Sequence, residues 1–193
     1  MRDSTDLLQR IEEDVKVAAL LADVFEFDVR RKVGDESARL ASGLMVEPIA
    51  GDFTGGVFYL CGTVGSARPV LYASSEGDAG IIATDLSEAL GVVVGFPYWR
   101  DCLKYSAGGD LAAMELAADF LCRDLVANRP AIGAEQSRVA EALGLTLESP
   151  LVLTARLHMA VKSAGPDFDF SDDTGEYGSL FGPFPPSRNR SWQ

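Results

Sequence analysis

Ala50-Gly51-Asp52-Phe53-Thr54-Gly55-Gly56-Val57-Phe58-Tyr59-Leu60 is the stretch from which the fold of this chain is read. Its second half, an aromatic and β-branched run, favours a strand, and its first half is a glycine-punctuated connection. A glycine-rich loop of this kind invites comparison with a phosphate cradle. No Lys-Ser/Thr pair follows it, however, and it runs into a strand rather than a helix, which disfavours a nucleotide loop. The glycines are better read as supplying positive φ or a bulge in a tight connection, with Asp52 bonding to nearby backbone.

The texture continues on both sides. Short apolar runs at 44–49, Val57–Cys61, Val70–Ala73 and 81–83 are separated by Gly, Asp, Ser and Pro clusters, which predicts an antiparallel meander. Ahead of it, Leu7, Leu8, Ile11, Val15, Ala18, Leu21, Ala22 and Phe25 recur at helical spacing. Acidic residues crowd the first half of that segment and Arg30, Arg31 and Lys32 precede Gly34, so one long amphipathic helix with dipole-complementing charges is expected. After the meander, Thr84-Asp85-Leu86-Ser87-Glu88 has the form of a capping box and opens a short helix expected to pack on the sheet. Pro97 suits the first turn of a further helix, closed by Gly108-Gly109. Asp110 is placed to cap a helix over 111–126, and another, over 134–143, stops at Gly144. Ser149-Pro150 is a cap-and-first-turn pair, so 151–162 reads as helix, although Leu151-Val152-Leu153 suits the start of a strand equally well. Beyond Ala164 regular patterning ends in an acidic, aromatic and proline-rich tail. The fold class is α+β.

The 193 residues carry 17 basic and 29 acidic groups, a formal charge of −12 spread along the sequence. A field of that sign opposes nucleic acid and anionic membrane and attracts a basic protein; its plainer role is solubility. Cys61, Cys102 and Cys122 show no C-x-x-C spacing and lie in apolar surroundings, as buried thiols of a reducing compartment do. The N-terminal Met1-Arg2-Asp3-Ser4-Thr5-Asp6 has no basic region followed by an apolar run, and no apolar stretch nears the roughly 18 residues of a membrane span. The expected location is cytoplasmic.

Few residues suit catalysis. His158, the single histidine, lies in an apolar run, and neither Gly65-Ser66 nor Gly178-Ser179 carries the glycine spacing of a nucleophile elbow. His158 is therefore expected as a packed or surface residue and the chain as a non-enzyme without cofactor. One histidine and three scattered cysteines make no zinc set, and Asp167-Phe168-Asp169-Phe170-Ser171-Asp172-Asp173 lacks the glycine and terminal Glu of a calcium loop, so no metal is expected either. Residues 136–146 are similar to the first helix and turn of a helix-turn-helix. Glu148 and Pro150 then fall where a recognition helix wants base-contacting, helix-forming residues, so an ordinary helical hairpin is the better reading.

Taken together, residues from about 43 to 101 resemble the SUKH superfamily, which includes immunity proteins of bacterial toxin systems and Syd-like regulators. The resemblance rests on the order of elements: an apolar strand, then Ala50-Gly51-Asp52-Phe53-Thr54-Gly55-Gly56, the aromatic strand Val57-Phe58-Tyr59-Leu60, Pro69-Val70-Leu71-Tyr72-Ala73, a polar turn Ser74-Ser75-Glu76-Gly77-Asp78, and Ile82-Ala83-Thr84-Asp85-Leu86-Ser87-Glu88-Ala89-Leu90 as the closing helix. The Leu-Pro signature that members often carry after the first helix is missing, and the helices after Gly109 lie outside the pattern. The resemblance implies a twisted antiparallel sheet flanked by helices, here a SUKH-like core over 1–107, with a helical extension over 108–164 packed on it and the tail over 165–193. It also implies a protein that neutralises a toxin domain, often a nuclease, whose basic groove an acidic inhibitor would match.

The expected contact residues are the acidic loop positions Asp52, Glu76 and Asp78 with the aromatics Tyr98 and Trp99, since aromatic anchors in an acidic surround suit a basic partner. Two plainer readings stand beside this one. The three carboxylates are ordinary turn residues, and Tyr98 and Trp99 are core residues seating their helix on the sheet. The other functional classes left open are a regulatory or structural subunit that grips a partner with its aromatic tail, a small-molecule enzyme, and a DNA-binding regulator.

Overall fold

The computed structural model describes residues 4–63, 68–188 and 192; Met1-Arg2-Asp3 and Gly65-Ser66 lie outside them. The chain begins with α1 (Ser4–Glu13) and α2 (Val15–Phe25), not with the single long helix expected from the periodicity. Asp14 breaks it. With φ −97° and ψ 91° this residue leaves the helical region, and its carboxylate accepts from the backbone N–H groups of Lys16 and Val17 at 3.0 and 3.1 Å, capping a fresh helix. The second helix also ends early, at Glu26, whose φ of 55° turns the chain so that Phe27 and Val29 enter the core. Arg30 and Arg31 consequently lie beyond the helix and serve Asp28: their Nε atoms stand 2.9 and 3.5 Å from its carboxylate. Asp28 in turn exchanges backbone hydrogen bonds with Gly51, tying this segment to the sheet.

The sheet is the expected meander. β2 (Val46–Gly51), β3 (Val57–Cys61), β4 (Val70–Ala73) and β5 (Asp78–Ala83) pair antiparallel in sequence order, after a two-residue strand β1 (Arg39–Leu40) that belongs elsewhere. Alternation along β3 and β4 sends Phe58, Leu60, Val70 and Tyr72 to one face and Tyr59, Cys61, Leu71 and Ala73 to the other. Both faces are buried. The first receives the helices: α1 and α2, then α3 (Leu86–Gly95), α4 (Trp99–Lys104), α5 (Leu111–Asn128), α6 (Ile132–Leu143) and α7 (Pro150–Ser163). Residues 151–162 are thus helical, with Ser149 as the cap. At α3 the two expected capping partners divide the work: Asp85 accepts from the Glu88 N–H at 2.9 Å while the Glu88 carboxylate accepts from the Thr84 N–H at 2.8 Å.

The second face is covered by Leu40 of β1, by Ala160 of α7 and by the tail, which adds strands to both sheets. β6 (Phe170–Asp172) pairs with β1 and with β7 (Gly175–Glu176), forming a small sheet that sets Phe170 against Tyr59 at 5.3 Å between centroids. Next, β8 (Gly178–Ser179) joins β5 in parallel and lengthens the main sheet to five strands. The fold is α+β. Among the described residues, no helix is long and apolar enough to cross a membrane.

The small sheet has an acid-sensitive fastening. Asp172 accepts from the Thr174 N–H, the Thr174 hydroxyl and the Tyr177 hydroxyl at 2.8, 2.6 and 2.7 Å. These bonds hold its carboxyl below the ordinary 3.8 and, chiefly through the same bond, push the Tyr177 hydroxyl up to about 12. A carboxylate whose folded pKa is depressed gives stability that is present above its unfolded pKa and is lost as pH falls through the folded value. The expected outcome is that Asp172→Asn reduces stability near neutral pH, and that its deficit relative to the wild type shrinks as pH falls below about 4. Urea titrations at a series of pH values read this out; a deficit independent of pH would contradict it.

Candidate functional site

At the end of the sheet where the β2–β3 and β4–β5 connections lie, a groove of about 420 Å³ opens between those loops, the start of α4 and the tail. The Ser74–Gly77 turn supplies one wall. Ser74 Oγ accepts from the N–H groups of Glu76 and Asp78 at 3.3 and 3.1 Å, which sets Glu76 at the exposed tip. The opposite wall comes from Pro97, Tyr98, Trp99, Arg100 and Asp101, and Leu180 and Phe184 of the tail complete it.

The floor is a buried charge network. Asp52, whose side chain is entirely excluded from solvent, accepts from the Thr54 N–H at 2.8 Å, the Thr54 hydroxyl at 2.7 Å, the Gly56 N–H at 2.9 Å and the Tyr72 hydroxyl at 2.7 Å. Arg100 adds an ion pair to the same carboxylate, pairs also with Glu26, and lies over the rings of Tyr72 and Trp99 at 5.7 Å from each centroid. This geometry explains Gly56. A Cβ there would lie 2.6 Å from Tyr72 Cζ and 2.7 Å from Asp52 Oδ2. Burial first, and then the neighbouring charges of Asp52 and Glu76, push the Tyr72 hydroxyl far up, so it stays a donor.

Of the five expected contact residues, the structure brings Glu76, Tyr98 and Trp99 to this groove with Asp52 beneath it, and leaves Asp78 outside its lining. Two corrections follow from burial. Asp52 is consumed by its own loop and by Arg100, and Trp99, 2% exposed, packs edge-on against Tyr72 at 5.0 Å and tilted against Phe58 at 6.2 Å. Neither presents a contact surface; Trp99 is the core residue of the plainer reading. Glu76 is exposed and Tyr98 half-buried. The carboxyl of Asp78 is raised by burial and then by the charge of Glu76. Glu26, Arg100, Asp101, Lys104 and Phe184 were not legible as site residues, since they come from three distant segments.

Away from the groove, the histidine and the cysteines are packed into the fold. His158 is packed, with Nε2 2.9 Å from the Gly109 carbonyl and its ring 5.5 Å from Phe181. Burial pushes the thiols of Cys61 and Cys102 up to about 12 and that of Cys122 up to about 11, away from thiolate chemistry. Carboxylate oxygens of Asp35, Asp172 and Asp173 lie within 4.8 Å of one another and are the one described group placed to hold a cation, though Asp172 is already engaged by Thr174 and Tyr177. A second groove, of about 410 Å³ and mostly apolar, runs between β5 and α7 past Ile81, Met159, Ala160 and Phe168.

The tail wall is held by backbone. The Gly108 N–H donates to the Gly182 carbonyl at 2.8 Å, Gly182 N–H to Leu103 at 3.0 Å, and Ala107 N–H to Phe184 at 3.0 Å. Two of its aromatics are engaged within the chain: Phe181 rests on Gly109, and Trp192 stacks on Phe120 at 4.2 Å and meets Tyr105 edge-on at 5.2 Å. A Cβ at Gly182 would come within 2.7 Å of Lys104 Cα and 2.8 Å of its carbonyl carbon, so a side chain there pushes the tail off α4. Gly182→Ala is expected to make the chain cleavable near 180–188 under limited proteolysis while its far-UV circular dichroism stays near wild type. Equal protection of both proteins would contradict this.

Compared with protein-family models, with curated proteins and with solved structures, the chain matches none.

Proposed function

We propose that the chain is a binding protein whose groove receives a basic protein partner, and that this partner is a toxin domain which it neutralises as an immunity protein. The observation that carries the reading is the groove itself: Glu76 and Asp101 at its rim, Tyr98 and Phe184 in its walls, and a floor whose one arginine is already answered by two carboxylates. Concave aromatic surface supplies binding energy where water is excluded, and surrounding acid selects partners of positive charge. The formal charge of −12 extends that field over the whole molecule and speeds encounter with a basic surface. The resemblance of residues 43–101 to the SUKH superfamily supports the toxin as the class of partner.

The test is recovery of the native partner with the tagged full chain from the cells that make it, followed by association kinetics of the purified pair. A basic toxin domain is expected, its association rate falling as salt rises, and Glu76→Lys is expected to slow association by about tenfold. A partner that is not basic, or rates unchanged across the salt series, would overturn the reading.

A further inference from the structure

Arg100 shows what this region does with a guanidinium: it sets the central carbon 5.7 Å from the centroids of two aromatic rings and closes the group with two carboxylates. The groove above repeats the same ingredients, and the one guanidinium on its lining, that of Arg100, is already closed by those two carboxylates. Tyr98 and Phe184 supply aromatic surface, Phe184 being 53% exposed. Among the described residues, Glu76 and Asp101 make no ion pair, and both are exposed on the lining against a single free-standing cation, Lys104. Burial raises the Tyr72 hydroxyl and the Asp78 carboxyl first, and the nearby charge of Glu76 adds to both. The wall also offers the hydroxyls of Thr54 and Ser75 as acceptors. Several acceptors around aromatic surface match a planar, five-donor cation better than the compact, strongly hydrated ammonium of lysine.

We propose that the groove is a receptor for a single arginine side chain of the partner, its guanidinium resting on the surface of Tyr98 and Phe184 and facing Glu76. This inference rests on the reading of the groove as the binding site for a basic protein, and adds to it the residue type that the site selects. Arg100 keeps the receptor shallow. By filling the deeper acid site from within the chain, it leaves the second layer, at the level of Glu76, for the incoming side chain.

The experiment titrates N-acetyl-arginine methylamide into the isotopically labelled full chain and follows backbone amides, with the citrulline and lysine analogues as neutral and ammonium controls. Saturable shifts confined to residues around Glu76, Tyr98 and Phe184 are expected, with the arginine probe binding at least about fivefold more tightly than either control. Glu76→Gln and Tyr98→Ala should each weaken it by about fivefold while leaving the remaining spectrum in place. Absence of shifts at the groove, or citrulline binding as well as arginine, overturns the receptor. The two readings fail separately. If the arginine probe leaves the groove untouched while Phe184→Arg still abolishes capture of a basic partner, the arginine receptor falls and the binding groove stands; arginine-selective binding with no basic partner recovered does the reverse.

Discussion

Asp52→Ala is expected to lower the free energy of unfolding by about 3–5 kcal/mol, the cost of breaking a buried ion pair and leaving its partners uncompensated. The size follows from what is orphaned. The Gly56 N–H and the Tyr72 hydroxyl lose their acceptor in a buried setting, at about 1–3 kcal/mol each, and the Thr54 N–H and hydroxyl lose two further bonds. Arg100 contributes less, because its side chain is 27% exposed, still reaches water and keeps Glu26. Urea denaturation reads the loss as a lower midpoint at unchanged slope. In an Arg100→Met background the same Asp52→Ala change should cost less, since no cation is then left behind. A loss under about 1 kcal/mol in the wild-type background would mean that the loop does not depend on this carboxylate.

Trp99→Ala should cost a similar amount, about 3–5 kcal/mol, with the melting temperature falling by roughly 10 °C. The indole fills the angle between Phe58 and Tyr72 at the junction of α4 with the sheet, so its removal leaves a cavity lined by rings that cannot collapse onto it. Trp99→Phe keeps most of that contact and should retain more than half of the lost stability, which preserves the test if the alanine variant fails to fold. A surface anchor would behave differently: stability unchanged, partner affinity lost. Unchanged thermal stability in both variants would return Trp99 to the binding surface.

The parts of the fold that could be read from the sequence are those decided locally. The meander was visible because each strand from β2 to β5 is an apolar run bounded by turn residues, and Asp85, Asp110 and Ser149 cap their helices as expected because a cap needs only the three residues that follow it. The break at Asp14 was hidden for the opposite reason. Apolar residues keep helical spacing across it, and only the inward turn of Phe27 and Val29 and the pairing of Asp28 with Gly51 favour a bent path over a straight helix. Strands β6, β7 and β8 of the tail, two or three residues each, are too short to show alternation, and their partners lie far away in sequence.

The site divides along the same line. Glu76 and Tyr98 were legible because a polar turn beside a strand and an aromatic beside a helix start are local patterns. Asp52 was expected at the surface and is buried: a carboxylate in a glycine loop looks the same in sequence whether it faces water or the Tyr72 hydroxyl. Arg100 left no signal at all, since Glu26 and Asp52, which define its role, are nowhere near it along the chain.

The parallel pairing of β8 with β5 carries a consequence for the order of events in the making of this protein. Residues 178–179 are translated long after 78–79, with all the helices from α3 to α7 between them, so the growing chain can lay down the meander and its helical cover while the last wall of the groove does not yet exist. Leu180 and Phe184 arrive only with that late segment. A nascent or truncated chain would therefore hold the meander and its helical cover but no finished groove, and the groove would take its shape only with the final folding step.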